Sequence, residues 1–365
     1  MRKIDEHRMG RWSIGSILML CVLLCACTED SNDGQGERDL LQLTSYTRPY
    51  EEVMGTRAVP YGFVPFEDVY PVAHESSCSF GLFMVPEAPT KLQRITYREG
   101  GQWVSEVEVK EVPYYIYGFL PVEAVTSASI GYLDSSTDYS EGAKLTMNGL
   151  STVSTSDICV IVGVQNASSA DAEVDLRMGR FYYMGKPLGQ NHVGILLDHL
   201  YAAVDLNLQV NETYHALRHI KLKRLSLKKT GVGSVDAVLT LRGNTTGINP
   251  LNSSSVTWVN HTGTSEATLF EKAEGQDLSP TPYLIHGFVA PDLSGGLSIE
   301  SEYDVYDTQG NKVREGCIAV NYLGSKISAF LKSGQKSVLT LTINPTYLYQ
   351  LSDPDLNNPT FTVSE

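Results

Sequence analysis

Apolar and polar residues alternate along much of this chain. Val204, Leu206, Leu208 and Val210 are separated by Asp205, Asn207 and Gln209, and Leu339, Leu341 and Ile343 by Thr340 and Thr342. A period of two places the apolar side chains on one face of an extended segment and the polar ones on the other, which predicts strands with one dry and one wet face. Runs of six to nine residues of this kind recur, punctuated by Gly, Asn, Ser and Asp. No long stretch beyond the first 26 residues carries a helical period. The run Ile327 to Leu331, the turn Ser333-Gly334-Gln335 and the strand that follows predict a hairpin. In Ile220-Lys221-Leu222-Lys223-Arg224-Leu225-Ser226-Leu227 the parity breaks, because Ile220 and Leu222 fall on one face and Leu225 and Leu227 on the other. An extra residue restores a common face, so a β-bulge is predicted near Lys223-Arg224, with the basic side chains on the wet side. The predicted fold class is all-β.

Length and composition narrow this picture. The chain has 365 residues, a formal net charge of −14 and twenty tyrosines. That length predicts two domains. A cluster of Gly185, Pro187 and Gly189 between Met184 and Asn191 places the break at 187/188, giving an N-terminal domain of residues 40–187 and a C-terminal one of residues 188–365. The acidic balance argues against nucleic acid as a partner, since phosphate affinity rests on clustered Lys and Arg. Tyr114-Tyr115-Ile116-Tyr117 reads either as a sugar-stacking platform or, with more weight, as aromatic strand core.

The first residues carry an address. Arg2, Lys3, Arg8 and Arg11 precede an apolar run, Ile14 to Leu24, that is too short to span a bilayer comfortably. Leu24-Cys25-Ala26-Cys27 follows. The small Ala26 before Cys27 makes Cys27 the expected site of lipid attachment, with residues 1–26 a lipoprotein signal peptide and residues 27–39 an acidic tether. The expected location is the outer membrane at the cell surface, held there by lipid.

Candidate chemistry is sparse. No phosphate-binding loop, HExxH, EF-hand loop or GxSxG motif follows Cys27, so no enzyme activity, cofactor or metal site is expected. Cys78, Cys159 and Cys317 are odd in number and far apart; the pairings open to them are Cys78–Cys317 and Cys78–Cys159, and Cys159 also reads as a small buried hydrophobe. His199, at the head of an apolar strand, reads as a structural histidine. His215 and His219 stand four apart, but in a strand-like context that does not supply helical ligand geometry.

Several stretches together resemble the fimbrillin superfamily of Bacteroidetes pilus subunits. They are Trp103 with Tyr114-Tyr115-Ile116-Tyr117-Gly118-Phe119-Leu120-Pro121, then His199-Leu200-Tyr201-Ala202-Ala203-Val204-Asp205-Leu206, then Tyr214 to Leu222, and the tail Asn344 to Leu356. The resemblance runs from about residue 56 to the end, and the acidic run after Cys27 is similar to an export tag of such lipoproteins. It implies two tandem transthyretin-like β-sandwich domains with Greek-key-type antiparallel sheets. It implies a structural or tip subunit of a pilus that contributes to adhesion and is assembled by proteolysis-triggered strand exchange. Its partners would be other pilus subunits, a trypsin-like maturation protease, the outer membrane, and a host or bacterial surface ligand. The resemblance places processing at Arg57, before Ala58, with Arg48 as the alternative. The released piece would carry the strand Leu40 to Tyr46. The candidate donor strand is Pro359 to Val363, with Phe361 and Val363 on one face. The alternatives are a surface glycan-binding lipoprotein and a pilus anchor subunit that does not polymerise.

Overall fold

A computed structural model describes residues 39–365 apart from 53–62, 67–77, 86–90, 99–101, 135, 166–178, 187–189, 244–250, 252–253, 292–295, 324–330, 348–353 and 365. In chain order its strands are β1 (Gln42–Thr47), β2 (Glu51–Glu52), β3 (Val64–Pro65), β4 (Ser79–Val85), β5 (Gln93–Arg98), β6 (Gln102–Val104), β7 (Pro113–Leu120), β8 (Ser127–Tyr132), β9 (Gly142–Ser151), β10 (Val153–Ser154), β11 (Cys159–Gln165) and β12 (Tyr182–Met184). They continue as β13 (His192–His199), β14 (Ala202–Val210), β15 (His219–Thr230), β16 (Ser234–Arg242), β17 (Val256–His261), β18 (Thr264–Leu278), β19 (Tyr283–Val289), β20 (Leu297–Tyr306), β21 (Lys312–Tyr322), β22 (Gln335–Tyr347) and β23 (Pro354–Ser364). A single turn of 3-10 helix, Val122–Ala124, and one short α-helix, α1 (Glu212–His215), interrupt the described strands. The protein is thus nearly all β.

The strands form four sheets around two cores. A nine-stranded sheet runs β3-β1-β13-β11-β7-β4-β5-β6, with β12 also on β7, and it shares the first core with the sheet β17-β16-β9-β8. A six-stranded sheet runs β10-β19-β14-β22-β2, with β23 also on β22, and it shares the second core with β18-β15-β20-β21. The expected boundary at 187/188 lies outside the described residues. The two cores interleave along the chain: Val153 belongs to the second, β13 and Tyr201 to the first, Ala202 to Leu227 again to the second, and Val235 to Val256 again to the first.

The period-two segments fold as the pattern requires. In β14, Val204, Leu206, Leu208 and Val210 are buried while Asn207 and Gln209 are half-exposed; Asp205, expected on the wet face, is instead buried, where it meets His286 and Lys336. In β15 the register against both neighbours slips between Leu222 and Arg224. The slip puts Ile220, Leu222, Leu225 and Leu227 all at 0 % exposure, each contributing roughly 1.5–3 kcal/mol by leaving water. The bulge predicted near Lys223-Arg224 is therefore present.

Other expectations are corrected. The sheets are mixed rather than purely antiparallel, since β1 with β13, β14 with β22, and β2 with β22 all pair in parallel. Alternation encodes which face is buried and carries no information on strand direction. The partners of β22 include the following strand, β23, in antiparallel register; residues 327–330 of the run 327–331 expected as its other arm lie outside the described residues. His215 sits on α1 rather than in an extended segment, because the Asn211 side chain accepts hydrogen bonds from Thr213 and Tyr214 N–H and starts a turn of helix. Tyr114 and Tyr117 are at 1 % and 0 % exposure. No sugar can stack on them, and the strand-core reading of this cluster holds.

Candidate functional site

The N-terminal segment ties both cores together. β1 is hydrogen-bonded in parallel to β13 from Gln42 to Thr47 and in antiparallel to β3 at Tyr46 and Thr47. Four residues later β2 joins the other sheet, against Gln335 and Lys336 of β22. Polar side chains of β1 are matched: Trp103 Nε1–H donates to Ser45 Oγ at 2.9 Å, and Thr44 Oγ1 lies 2.6 Å from His192 Nε2. Leu41, Tyr46 and Thr47 are buried.

Between β1 and β2 the chain dips into a buried ionic cluster. Arg48 Nη1 donates to Asp198 Oδ2 at 3.0 Å. Asp198 also accepts from Leu251 N–H at 2.7 Å and from His199 N–H at 3.0 Å. His199 Nδ1 lies 2.6 Å from Asp157 Oδ2, and its Nε2 lies 2.6 Å from the Arg48 carbonyl oxygen. Both ring nitrogens therefore face acceptors, the arrangement of an imidazolium that donates twice. Tyr50 stacks on the His199 ring with centroids 3.7 Å apart. Burial opposes charge on His199, but Asp157, Asp198 and the Arg48 carbonyl outweigh it and raise its pKa. Two carboxylates and two cations balance inside the protein, with Asp157, Asp198, His199 and Arg48 all below 9 % exposure.

Cys159 joins the cluster but is not activated by it. Its Sγ is 3.6 Å from Asp157 Oδ2 and 3.6 Å from His199 Nδ1. Burial pushes the thiol pKa far up, and Asp157 and Asp198 add to the shift. A nucleophilic pair needs one imidazole nitrogen for the thiol and the other for the carboxylate. Here Nδ1 faces both, and Nε2 is held by a backbone carbonyl. Asp157, Cys159 and His199 are the residues among those described whose ligand atoms cluster as a metal site would require, within 4.8 Å. The 2.6 Å between oxygen and nitrogen is the distance of a shared proton, whereas two ligands about 2.0 Å from one tetrahedral zinc stand farther apart. The cluster packs its charges around the Arg48 backbone, in the connection between β1 and β2.

The sequence-predicted positions fall as follows. Cys27 and Arg57 lie outside the described residues; Arg57 falls in the connection between β2 and β3. Arg48 is buried at 8 % exposure, with its carbonyl engaged by His199. Phe361 is buried in the second core opposite Ile343, its ring 5.3 Å from that of Tyr303, and Val363 is half-buried opposite Leu341. Cys78, Cys159 and Cys317 are all buried and free of disulfides. Asp157, Asp198 and Tyr50 were not singled out in the sequence. A usable signal for one of them was the adjacent pair Asp198-His199 inside an otherwise apolar run. Among the described residues no helix is long and apolar enough to cross a membrane.

No family model and no curated protein matches the chain. Solved structures do overlap it. A candidate cell adhesion protein from Bacteroides uniformis is 13 % identical over 90 % of this chain and 99 % of that one, with a TM-score of 0.40. A second, from Bacteroides fragilis, is 11 % identical over 89 % and 97 %, with a TM-score of 0.41. A fimbrial protein from Bacteroides vulgatus is 10 % identical over 89 % and 98 %, with a TM-score of 0.34. Overlaps of this size establish neither the fold nor the function of this chain.

Proposed function

We propose that this protein is a surface adhesion protein of the pilus-subunit kind, built as two transthyretin-like sandwiches and delivered as a lipoprotein on Cys27. The observation that carries the reading is the strap: residues 42–52 contribute one strand to each of two sheets, and all of them precede Arg57. A cut after Arg57 separates the strap covalently from the rest of the chain. Losing β1 exposes the parallel edge of β13 and the side chains that Leu41 and Tyr46 cover, an unstable edge that a strand from another subunit can complete. The pairing of β22 with β23 gives the chain a C-terminal strand bearing Phe361 and Val363 for donation. Cleavage at Arg48 fits less well, because its carbonyl is engaged and buried in the intact protein.

The test is to treat the purified mature protein with a trypsin-like protease and follow mass and assembly. Cleavage at Arg57 followed by assembly with sister subunits added to the reaction is the expected outcome, and Arg57→Ala should abolish both. An uncut chain, or a cut monomer that never associates with itself or with sister subunits, refutes the proposal. N-terminal sequencing of protein taken from cells then separates an anchored form, beginning at lipidated Cys27, from a processed form beginning at Ala58.

A further inference from the structure

We infer that the site under the strap selects for a strand that carries a basic residue, and that this subunit therefore accepts a different protein rather than a second copy of itself. The inference rests on the strand-exchange reading above and concerns which strand can enter.

Asp198 and Asp157 are side-chain anions of the described cluster, and His199 and Arg48 are its cations. Asp157, Asp198 and His199 remain with the body of the protein when the strap leaves. Arg48 leaves with the strap. Among the described residues the vacated site then holds two carboxylates against one imidazolium, beside the position the strand occupied. A replacement strand that buries the site again without a cation encloses an unbalanced carboxylate, a costly arrangement. One that brings Arg at the residue after the paired stretch restores the contact to Asp198 Oδ2, and its preceding hydroxyl residues restore those to Trp103 and His192.

The chain's own C-terminal strand does not meet this requirement. Residues 337–365 contain no Lys or Arg, so β23 itself carries no cation to place at the Arg48 position. The same segment carries Asp353, Asp355 and Glu365, which would add to the excess. A second copy of the chain is thus electrostatically mismatched to this groove. The fitting partner is another subunit whose donor strand has Ser or Thr within it and Arg or Lys at its end.

The experiment uses the full chain with a unique protease recognition sequence replacing Arg57, so that nicking does not depend on any natural enzyme. The nicked protein is challenged with labelled synthetic peptides: residues 39–52, the same peptide with Arg48→Ala or Arg48→Lys, and residues 353–365. The expected result is uptake of the 39–52 peptide, with the Lys variant close behind. The Ala variant should bind about 100-fold more weakly, the loss of one partner of a buried pair, and residues 353–365 should fail to compete. In an Asp198→Asn chain the Arg/Ala difference should fall below about tenfold. Equal uptake of the Arg and Ala peptides, or uptake of 353–365 on a par with 39–52, overturns the inference. If no peptide enters, strand exchange itself fails, and the inference is then judged on release: the nicked Arg48→Ala chain must lose its own strap about 100-fold faster than the nicked wild type, and equal rates overturn it.

Discussion

Replacing Arg48 by Met removes one charge from the buried cluster and keeps most of the stem's volume. Breaking a buried ion pair in this way costs about 3–5 kcal/mol. Solvent does not screen the loss as it would at the surface, because Arg48 and Asp198 are at 8 % and 3 % exposure. Two backbone donors, Leu251 N–H and His199 N–H, continue to hold Asp198, which places the expected loss at the lower end, about 3 kcal/mol. That is a large share of the roughly 5–15 kcal/mol by which domains are stable. The loss should appear first at β1, whose backbone enters the cluster directly. Urea unfolding and hydrogen exchange at Leu43 to Thr47 read it, and Trp103 fluorescence gives a local probe because its ring N–H holds Ser45. Replacing both partners by apolar residues, Arg48→Met with Asp198→Leu, is often neutral for buried pairs. Here it should give no recovery, since Leu251 and His199 N–H lose their acceptor at about 1–3 kcal/mol each. A wild-type midpoint in Arg48→Met, to within about 0.5 kcal/mol, with unchanged protection of β1, refutes the reasoning.

Three further outcomes are expected. Phe361→Ala should cost about 3 kcal/mol in chemical denaturation, from the lost packing on Tyr303 in the second core; a change no larger than that of exposed Thr362→Ala would show that β23 is not seated. His199 holds its proton more tightly folded than unfolded, burial opposing the charge and Asp157 overcoming it, so its stabilisation is complete below about pH 6.5 and lost as pH rises through the elevated folded value. The stability gap between wild type and Asp157→Asn should therefore shrink from about pH 6.5 upward; the His286–Asp205 pair, also raised, is common to both proteins and cancels, and a gap that holds or grows contradicts the assignment. Brief alkylation followed by mass spectrometry should leave Cys159 unmodified in the native protein and modified in denaturant, because burial raises its thiol pKa; native labelling would place the thiol at the surface.

The parts of the fold that depend on local period were legible in the sequence. The β15 bulge follows from four aliphatic positions whose parity conflicts within eight residues, and only one remedy keeps them all on a single face. The alternation of β14 is legible for the same reason. Strand direction and sheet membership were not, because they are settled by partners more than a hundred residues away: β1 meets β13 and β14 meets β22. The same distance hides the interleaving of the cores, in which residues 235–256 return to the first core after the chain has entered the second.

The buried cluster shows why the site was harder to read than the strands. Arg48 looks like an exposed, cleavable residue when judged by its neighbours Thr47, Pro49 and Tyr50. Asp157 carries no local signal, and His199, which reads as a structural histidine, is one, buried with both ring nitrogens engaged. What the local sequence hides is the partners, because the four charges are brought together by contacts 42 to 151 positions apart. Charges that could not be buried singly are stable together, and the backbone between β1 and β2 can then pass through the interior where the two cores meet. A strap held this way stays docked by pairing, packing and charge at once. Cutting the connection that contains Arg57 would leave all three in place. Cleavage by itself would then be insufficient to open the groove, and release would fall to whatever incoming strand can match the same hydrogen bonds and the same cation.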